Sequence, residues 1–167
     1  MINLNKNNNK GFTLIELLVA LTVFSIIVIG MTNTTLSIMK GQRKAFSLQV
    51  IQESSRYVLE TMIKEIRMGI VNSAEGTGLH TLEITNSSGE DVEYQFLSNK
   101  LRKSINGGAW QDLSTSNVDL TGSFYIRKSI FPNRALVTIV IKVKSKESKE
   151  EERSEIYIQN SMTSRAH

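Results

Sequence analysis

The chain has 167 residues, and its 20 Lys and Arg against 16 Asp and Glu give a formal net charge of +4. This length is typical of about one domain, and the charge excess is too small to indicate nucleic-acid binding without a localised basic stripe. Cysteine is absent, which excludes a disulfide scaffold, a thiolate metal site and a cysteine nucleophile. Two histidines, His80 and His167, cannot build a His-rich metal site.

The N-terminal part of the chain has the pattern of a membrane anchor. Residues 1–11 are polar and carry Lys6 and Lys10 but no acidic residue, and residues 12–31 are mostly apolar. As a helix, this apolar run would be about 30 Å long, which matches the hydrocarbon core of a bilayer. Because positive residues flank the cytoplasmic side, we expect a single-pass protein with its N-terminus inside and the rest of the chain outside.

One carboxylate, Glu16, interrupts the apolar run. A charge within a membrane segment costs about 2.5–3.5 kcal/mol on insertion scales and normally indicates a function and a partner. A secretory signal peptide or a plain signal anchor accounts for the run but not for this residue, and no clear Ala-x-Ala-like site follows the run. Cleavage between Gly11 and Phe12 would provide a cation for Glu16, namely the new α-amino group.

The motif Lys10-Gly11-Phe12-Thr13-Leu14-Ile15-Glu16 resembles the processing motif of type IV prepilins and type II secretion pseudopilins. The resemblance covers about residues 10–31. It implies that a prepilin peptidase, a membrane aspartyl protease, cleaves after Gly11 and methylates the new N-terminal Phe12. It also implies that Glu16 is the family's hallmark carboxylate, which acts in filament assembly.

A second helical pattern follows the apolar run. Apolar residues recur at the spacing of an amphipathic helix, with Ser55 filling one step: Ile51, Val58, Leu59, Met62, Ile63, Ile66 and Ile70. We therefore predict one long helix, with a transmembrane or filament-core part at 12–39 and an amphipathic part at 40–70 that belongs to the head. Residues 1–11 are the predicted leader peptide.

The remaining residues, 71–167, have strand character interrupted by turn clusters. The predicted strands are Leu79–Thr85, Val92–Leu97, Lys100–Ile105, Phe124–Ile130, Ala135–Val143 and Glu155–Gln159. Alternation of polar and apolar residues in the fifth of these predicts a sheet with one face on the helix. The predicted fold is α+β and pilin-like, with the long helix packed on an antiparallel β-rich head.

The predicted head contains no recognisable catalytic set, so we expect no enzyme activity, no cofactor and no metal site. The acidic cluster Glu90, Asp91 and Glu93 lacks the spacing of a calcium loop. We expect His80 to be packed or solvated, and Trp110 to close a small core rather than form an exposed adhesive site. The charged run 144–155 is expected to be a solvated hairpin loop between two strands.

These features predict a structural minor pilin or pseudopilin whose partners are the prepilin peptidase, other pilin or pseudopilin subunits and the cytoplasmic membrane. It would leave that membrane for a cell-surface or periplasmic filament. Residues around Leu59–Arg67 and Gln159–Ser161 loosely resemble J-type and W-type minor subunits. The main alternative is an uncleaved, signal-anchored protein with an extracellular binding head. A third is a filament-tip subunit that binds DNA, sugar or a secreted substrate. The residues leave open whether a pilus, secretion or DNA-uptake system is served.

Overall fold

A computed structural model describes residues 11–129, 134–146 and 153–165. Over these ranges, one helix, α1 (Leu14–Met68), precedes nine strands. The strands are β1 (Ile70–Val71), β2 (Gly76–Leu79), β3 (Thr81–Thr85), β4 (Asp91–Leu97), β5 (Lys100–Ile105), β6 (Gln111–Asp112), β7 (Val118–Ser129), β8 (Arg134–Ser145) and β9 (Glu155–Thr163). The predicted α+β, pilin-like architecture is confirmed. The chain divides into two compact units, Met1–Gln42 and Arg43–His167, and we call the second unit the head.

The strands form two antiparallel sheets rather than the single predicted sheet. The first has the order β1-β3-β4-β5-β6 and the second the order β2-β7-β8-β9. The predicted strand Leu79–Thr85 is divided at His80, because β2 pairs with β7 whereas β3 pairs with β4. The register of β2 shifts between Gly76 and Leu79, and Gly78 has a φ of 69°. Such a bulge bends a strand, and here it redirects the chain between the two sheets.

The core lies between the second half of α1 and the inner faces of the sheets. The buried residues of α1 follow the predicted apolar stripe and are Ser47, Ile51, Ser54, Ser55, Val58, Leu59, Met62 and Ile66. Ile63 is only partly buried at the margin of this core. In β8 the inward positions from Ala135 to Val143 are buried in alternation, as a sheet with one covered face requires. The predicted helix face is therefore confirmed.

The helix ends earlier than predicted, because α1 stops at Met68 and Ile70 already belongs to β1. At Gly69 a Cβ atom would lie 2.6 Å from the carbonyl oxygen of Thr85 and 2.8 Å from that of Glu65. Only a residue without a side chain permits this approach of two backbones, and Ile70 then pairs with Thr85. The close packing at Gly69 thus replaces the last predicted turn with a strand.

Trp110 does not close the core, contrary to expectation. It is 40% exposed, in the segment between Gly108 and the two-residue strand β6. The neighbouring Leu113, which is partly buried, packs against the core instead. The segment after Gly108 can turn either of its large apolar side chains towards the core. Here the smaller one, Leu113, occupies the inward position, and Trp110 remains exposed.

Several predictions lie wholly or partly outside the described residues. They concern residues 1–10 of the leader with Lys6 and Lys10, the last residue of the predicted strand Phe124–Ile130, the turn Phe131-Pro132-Asn133, residues 147–152 of the charged run, and His167. The described ends of that run belong to β8 and β9, where Lys144 pairs with Glu155. Strand β7 begins at Val118, six positions before the predicted start, because Val118 and Leu120 are both buried on its inner face.

Candidate functional site

The candidate site is the N-terminal end of α1. Gly11, Phe12 and Thr13 precede the helix, and the Leu17 amide donates the first hydrogen bond of the ladder to the Thr13 carbonyl at 3.2 Å. The Glu16 amide donates to the Thr13 side-chain oxygen at 3.3 Å, and the Thr13 amide donates to the Glu16 carboxylate at 3.5 Å. This reciprocal arrangement is a capping box, which satisfies amide groups that have no partner within the helix.

The capping box places the Glu16 carboxylate beside the start of the helix. A helix N-terminus carries a partial positive charge, so a carboxylate in the first turn is stabilised there. Sequence reasoning assigned Glu16 a cationic partner but overlooked this local role. The available signal was a threonine followed three residues later by glutamate, just before an apolar run.

Along its first half, α1 presents apolar side chains that none of the other described residues covers. None of residues 11–46 is buried, and Phe12 is 86% exposed. By length and composition, α1 is apolar enough to cross a membrane. An exposed apolar surface of this extent is a contact surface for lipid or for other helices, because soluble monomers rarely expose one.

Five hydroxyl side chains of this apolar half bond within the helix itself. The hydroxyls of Thr22 and Ser25 donate to carbonyl oxygens three or four residues earlier, at 2.7 and 2.8 Å. Thr32, Thr34 and Thr35 do the same at 2.9–3.0 Å. In surroundings without water each polar group needs an internal partner, so these bonds suit the segment to an apolar environment.

The predicted site residues Gly11, Phe12 and Glu16 all lie at this helix end. The chain leaves open space around Gly11, where an added Cβ would meet nothing within 4 Å. Any requirement for glycine at this position must therefore come from a molecule that binds it.

The candidate metal ligands of the head form no metal-binding group in the part of the chain described. No group of three or more His, Cys, Asp and Glu residues could hold a metal ion there. His80 is exposed, and its carbonyl oxygen accepts the Phe96 amide. Glu90 accepts from the Asn86 side chain at 2.8 Å, and Asp91 accepts from the Thr85 hydroxyl at 3.0 Å. Glu90 and Asp91 thus stabilise the turn between β3 and β4.

A partly buried polar cluster holds α1 against the first sheet. Tyr94 on β4 is fully buried, and its hydroxyl donates to a Glu65 carboxylate oxygen at 2.6 Å. Lys103 on β5 forms an ion pair with the other oxygen of Glu65. Burial, and then the adjacent carboxylate, raises the pKa of Tyr94 far above its usual value. Sequence reasoning missed this cluster, because its members are 29 and 38 positions apart from Glu65.

Comparison with known proteins adds one finding. Residues 6–32 match the family model described as the prokaryotic N-terminal methylation motif. No curated protein and no solved structure gives a significant match. The matched range includes Gly11, Phe12, the capping box and most of the exposed apolar half of α1. The chain therefore carries the type IV prepilin-like N-terminal signature on a pilin-like α+β fold, which supports a type IV pilin- or pseudopilin-like protein.

Proposed function

We propose that the chain is a structural minor pilin or pseudopilin, trimmed by a prepilin peptidase and assembled into a type IV pilus or a type II secretion-like filament. The main support is that the prepilin-like signature lies at the start of a segment, residues 11–46, in which no residue is buried. Most of this segment belongs to α1. Such a helix suits two surroundings in turn, lipid before assembly and neighbouring helices after it. We also propose that it is a minor subunit similar to the J-type or W-type, without a catalytic role and without a cofactor.

Processing is the first step of the proposal. Hydrolysis of the Gly11–Phe12 bond leaves a carboxylate on Gly11 and a free α-amine on Phe12, which the peptidase then methylates. The leader takes Lys6 and Lys10 with it. The N-terminus lies inside before cleavage, and the head lies outside the cytoplasmic membrane.

A glycine substitution tests the processing site. Gly11→Val should block trimming, because a protease that binds extended backbone leaves little room for a branched side chain. Gly41→Val is the matched control, since Gly41 also stands in open space but lies in the second half of the unit Met1–Gln42. Intact-mass analysis that finds normal trimming of Gly11→Val would contradict the assignment.

Assembly is the second step, and Glu16 carries it. The α-amine of Phe12, from the same subunit or an adjoining one, neutralises the Glu16 carboxylate in a dry bundle of helices. An isolated charge in such surroundings costs several kcal/mol, and pairing offsets that cost while fixing the axial position of the incoming subunit.

The capping box makes a sharp test available. Glutamine can occupy the same position in a capping box, so Glu16→Gln retains the cap and removes the charge. We expect Glu16→Gln and Glu16→Ala to be trimmed and inserted normally but recovered poorly in sheared filaments, relative to the membrane pool. Thr13→Ala is the control, because it removes half of the cap and retains the carboxylate. Equal recovery of the parent and Glu16→Gln would refute the charge-pairing role.

The alternative is an uncleaved, signal-anchored protein with an extracellular binding head. Such a protein uses the same apolar helix. Because it is not cleaved, no α-amine forms at Phe12 to pair with Glu16. Under this alternative Glu16→Gln leaves the amount of protein in the membrane pool unchanged, and no filament fraction exists.

A further inference from the structure

A small pocket lies at one end of the head, between β1 of the first sheet and the strands β7 and β8 of the second. Its volume is about 140 Å³, and four segments that are distant in sequence line it. They are both residues of β1, Lys128 of β7, Arg134 and Ala135 of β8, and Ser164 and Arg165 after β9. Two arginines and one lysine stand among these residues without an acidic one, so the lining has a formal charge of +3.

Hydrogen bonds of the backbone hold the residues that line this pocket. Ala135 pairs with Lys128 on one side. On its other side, the Ala135 carbonyl accepts the Ser164 amide at 2.8 Å, and the Ala135 amide donates to the Ser164 hydroxyl oxygen at 2.9 Å. The Arg165 amide donates to the Gly69 carbonyl at 3.2 Å. The three cations are therefore attached to backbone that is already ordered, which lowers the entropy cost of binding a ligand there.

The positive charge of the pocket is not balanced by a carboxylate within residues 11–129, 134–146 and 153–165. The Lys128 Nζ atom lies 3.4 Å from the carbonyl oxygen of Asn72, which is a neutral acceptor. The carboxyl end of α1, next to Arg165, carries a partial charge of about −0.5 and offsets only a fraction of the excess. By contrast, other cations of the sheets have acidic partners: Lys100 and Arg102 bind Asp112, Lys103 binds Glu65, and Lys142 binds Glu155.

We propose that this pocket binds a small phosphate-type dianion, which is either free phosphate or the phosphate group of a lipid. Two negative charges balance more of the local excess than a single carboxylate would. The volume of about 140 Å³ exceeds the ~30 Å³ of one water and accommodates a tetrahedral oxyanion. The guanidinium groups of Arg134 and Arg165 suit bidentate binding of its oxygens, and Lys128 adds a compact positive charge. The inference is independent of leader cleavage.

Isothermal titration calorimetry of the full-length protein in a non-ionic detergent tests the site, with inorganic phosphate as the probe at constant ionic strength. The parent should bind phosphate saturably, and Lys128→Gln and Arg165→Gln should bind at least about tenfold more weakly, because each loses a charge-assisted hydrogen bond. Arg127→Gln is the matched control, since it removes the same charge from the opposite face of β7. All of these side chains are exposed, so the variants should melt like the parent without phosphate. Absence of saturable binding, or equal affinities of Arg165→Gln and Arg127→Gln, would overturn the proposal.

Competing anions identify the chemistry of the ligand. Sulfate, also a tetrahedral dianion, should displace phosphate at similar concentrations, whereas acetate should need at least about tenfold more. Equal competition by sulfate and acetate would contradict the assignment of a dianion.

A soluble short-chain phosphatidic acid distinguishes the two sources of phosphate. Tighter binding than that of inorganic phosphate would support a lipid headgroup, and weaker binding would support free phosphate. Phosphatidylcholine of the same chain length is the control, because its choline group opposes the positive pocket. Equal binding of the two lipids would show that the acyl chains bind rather than the phosphate, and would contradict the proposed site.

Discussion

Met62 is the most informative position for testing how α1 packs on the sheets. It is 0% exposed and lies in the middle of the buried face of the helix. Met62→Lys would put a charge there without a partner, because Glu65, the acid three residues on, already binds Tyr94 and Lys103. A buried unpaired charge costs about 3–5 kcal/mol, a large share of a typical stability of about 5–15 kcal/mol.

The assay is thermal unfolding of the full chain in detergent. Near-ultraviolet circular dichroism monitors the loss of tertiary structure in the head. A loss of this size should lower the Tm by about 10–20 °C for a domain of this length. Tyr57→Lys is the matched control, because it adds the same charge to the same helix at a residue that is 58% exposed. Equal melting of the two variants would refute the assigned helix face.

Three further predictions concern local features. The pKa of Tyr94 is raised, so the folded chain keeps this proton above pH ~10 where the unfolded chain releases it, and stability falls there. Tyr94→Phe should therefore lose less unfolding free energy above pH ~10 than the parent, whereas the exposed Tyr125→Phe should lose as much. Thr13→Ala should weaken the start of α1 by about 1 kcal/mol, seen as faster amide exchange in its first turn, and Thr13→Ser should not. Gly122→Ala should cost about 1–3 kcal/mol in denaturant unfolding, since its Cβ would lie 2.5 Å from a carbonyl oxygen, while Gly41→Ala, in open space, should be near neutral or stabilising.

Periodic features of this chain were predictable from its sequence. The apolar stripe of α1 from Ile51 to Ile66 and the alternation in β8 have the same cause. Each element has one face in the core and one face towards water, and this leaves a regular pattern in the sequence. The prepilin-like signature was equally recognisable, because Gly11, Phe12 and Glu16 are close in sequence and lie at one helix end.

Features that depend on contacts between distant residues were not predictable. The end of α1 at Gly69 depends on the approach of Thr85, and the division at His80 depends on which sheet each neighbouring segment joins. The bond between Tyr94 and Glu65 links a strand to a helix 29 positions away. Nothing local distinguishes such a tyrosine from a solvated one, because its partner is set by tertiary packing.

The proposed function depends on maturation of the chain at the bond between Gly11 and Phe12. Its most direct test is the N-terminal residue of protein extracted from membranes of cells that contain the prepilin peptidase, determined by sequencing and mass spectrometry. We predict a chain that begins at Phe12 with a methylated α-amine, and a chain that begins at Met1 when the peptidase is deleted. A chain that begins at Met1 in cells with active peptidase would contradict it.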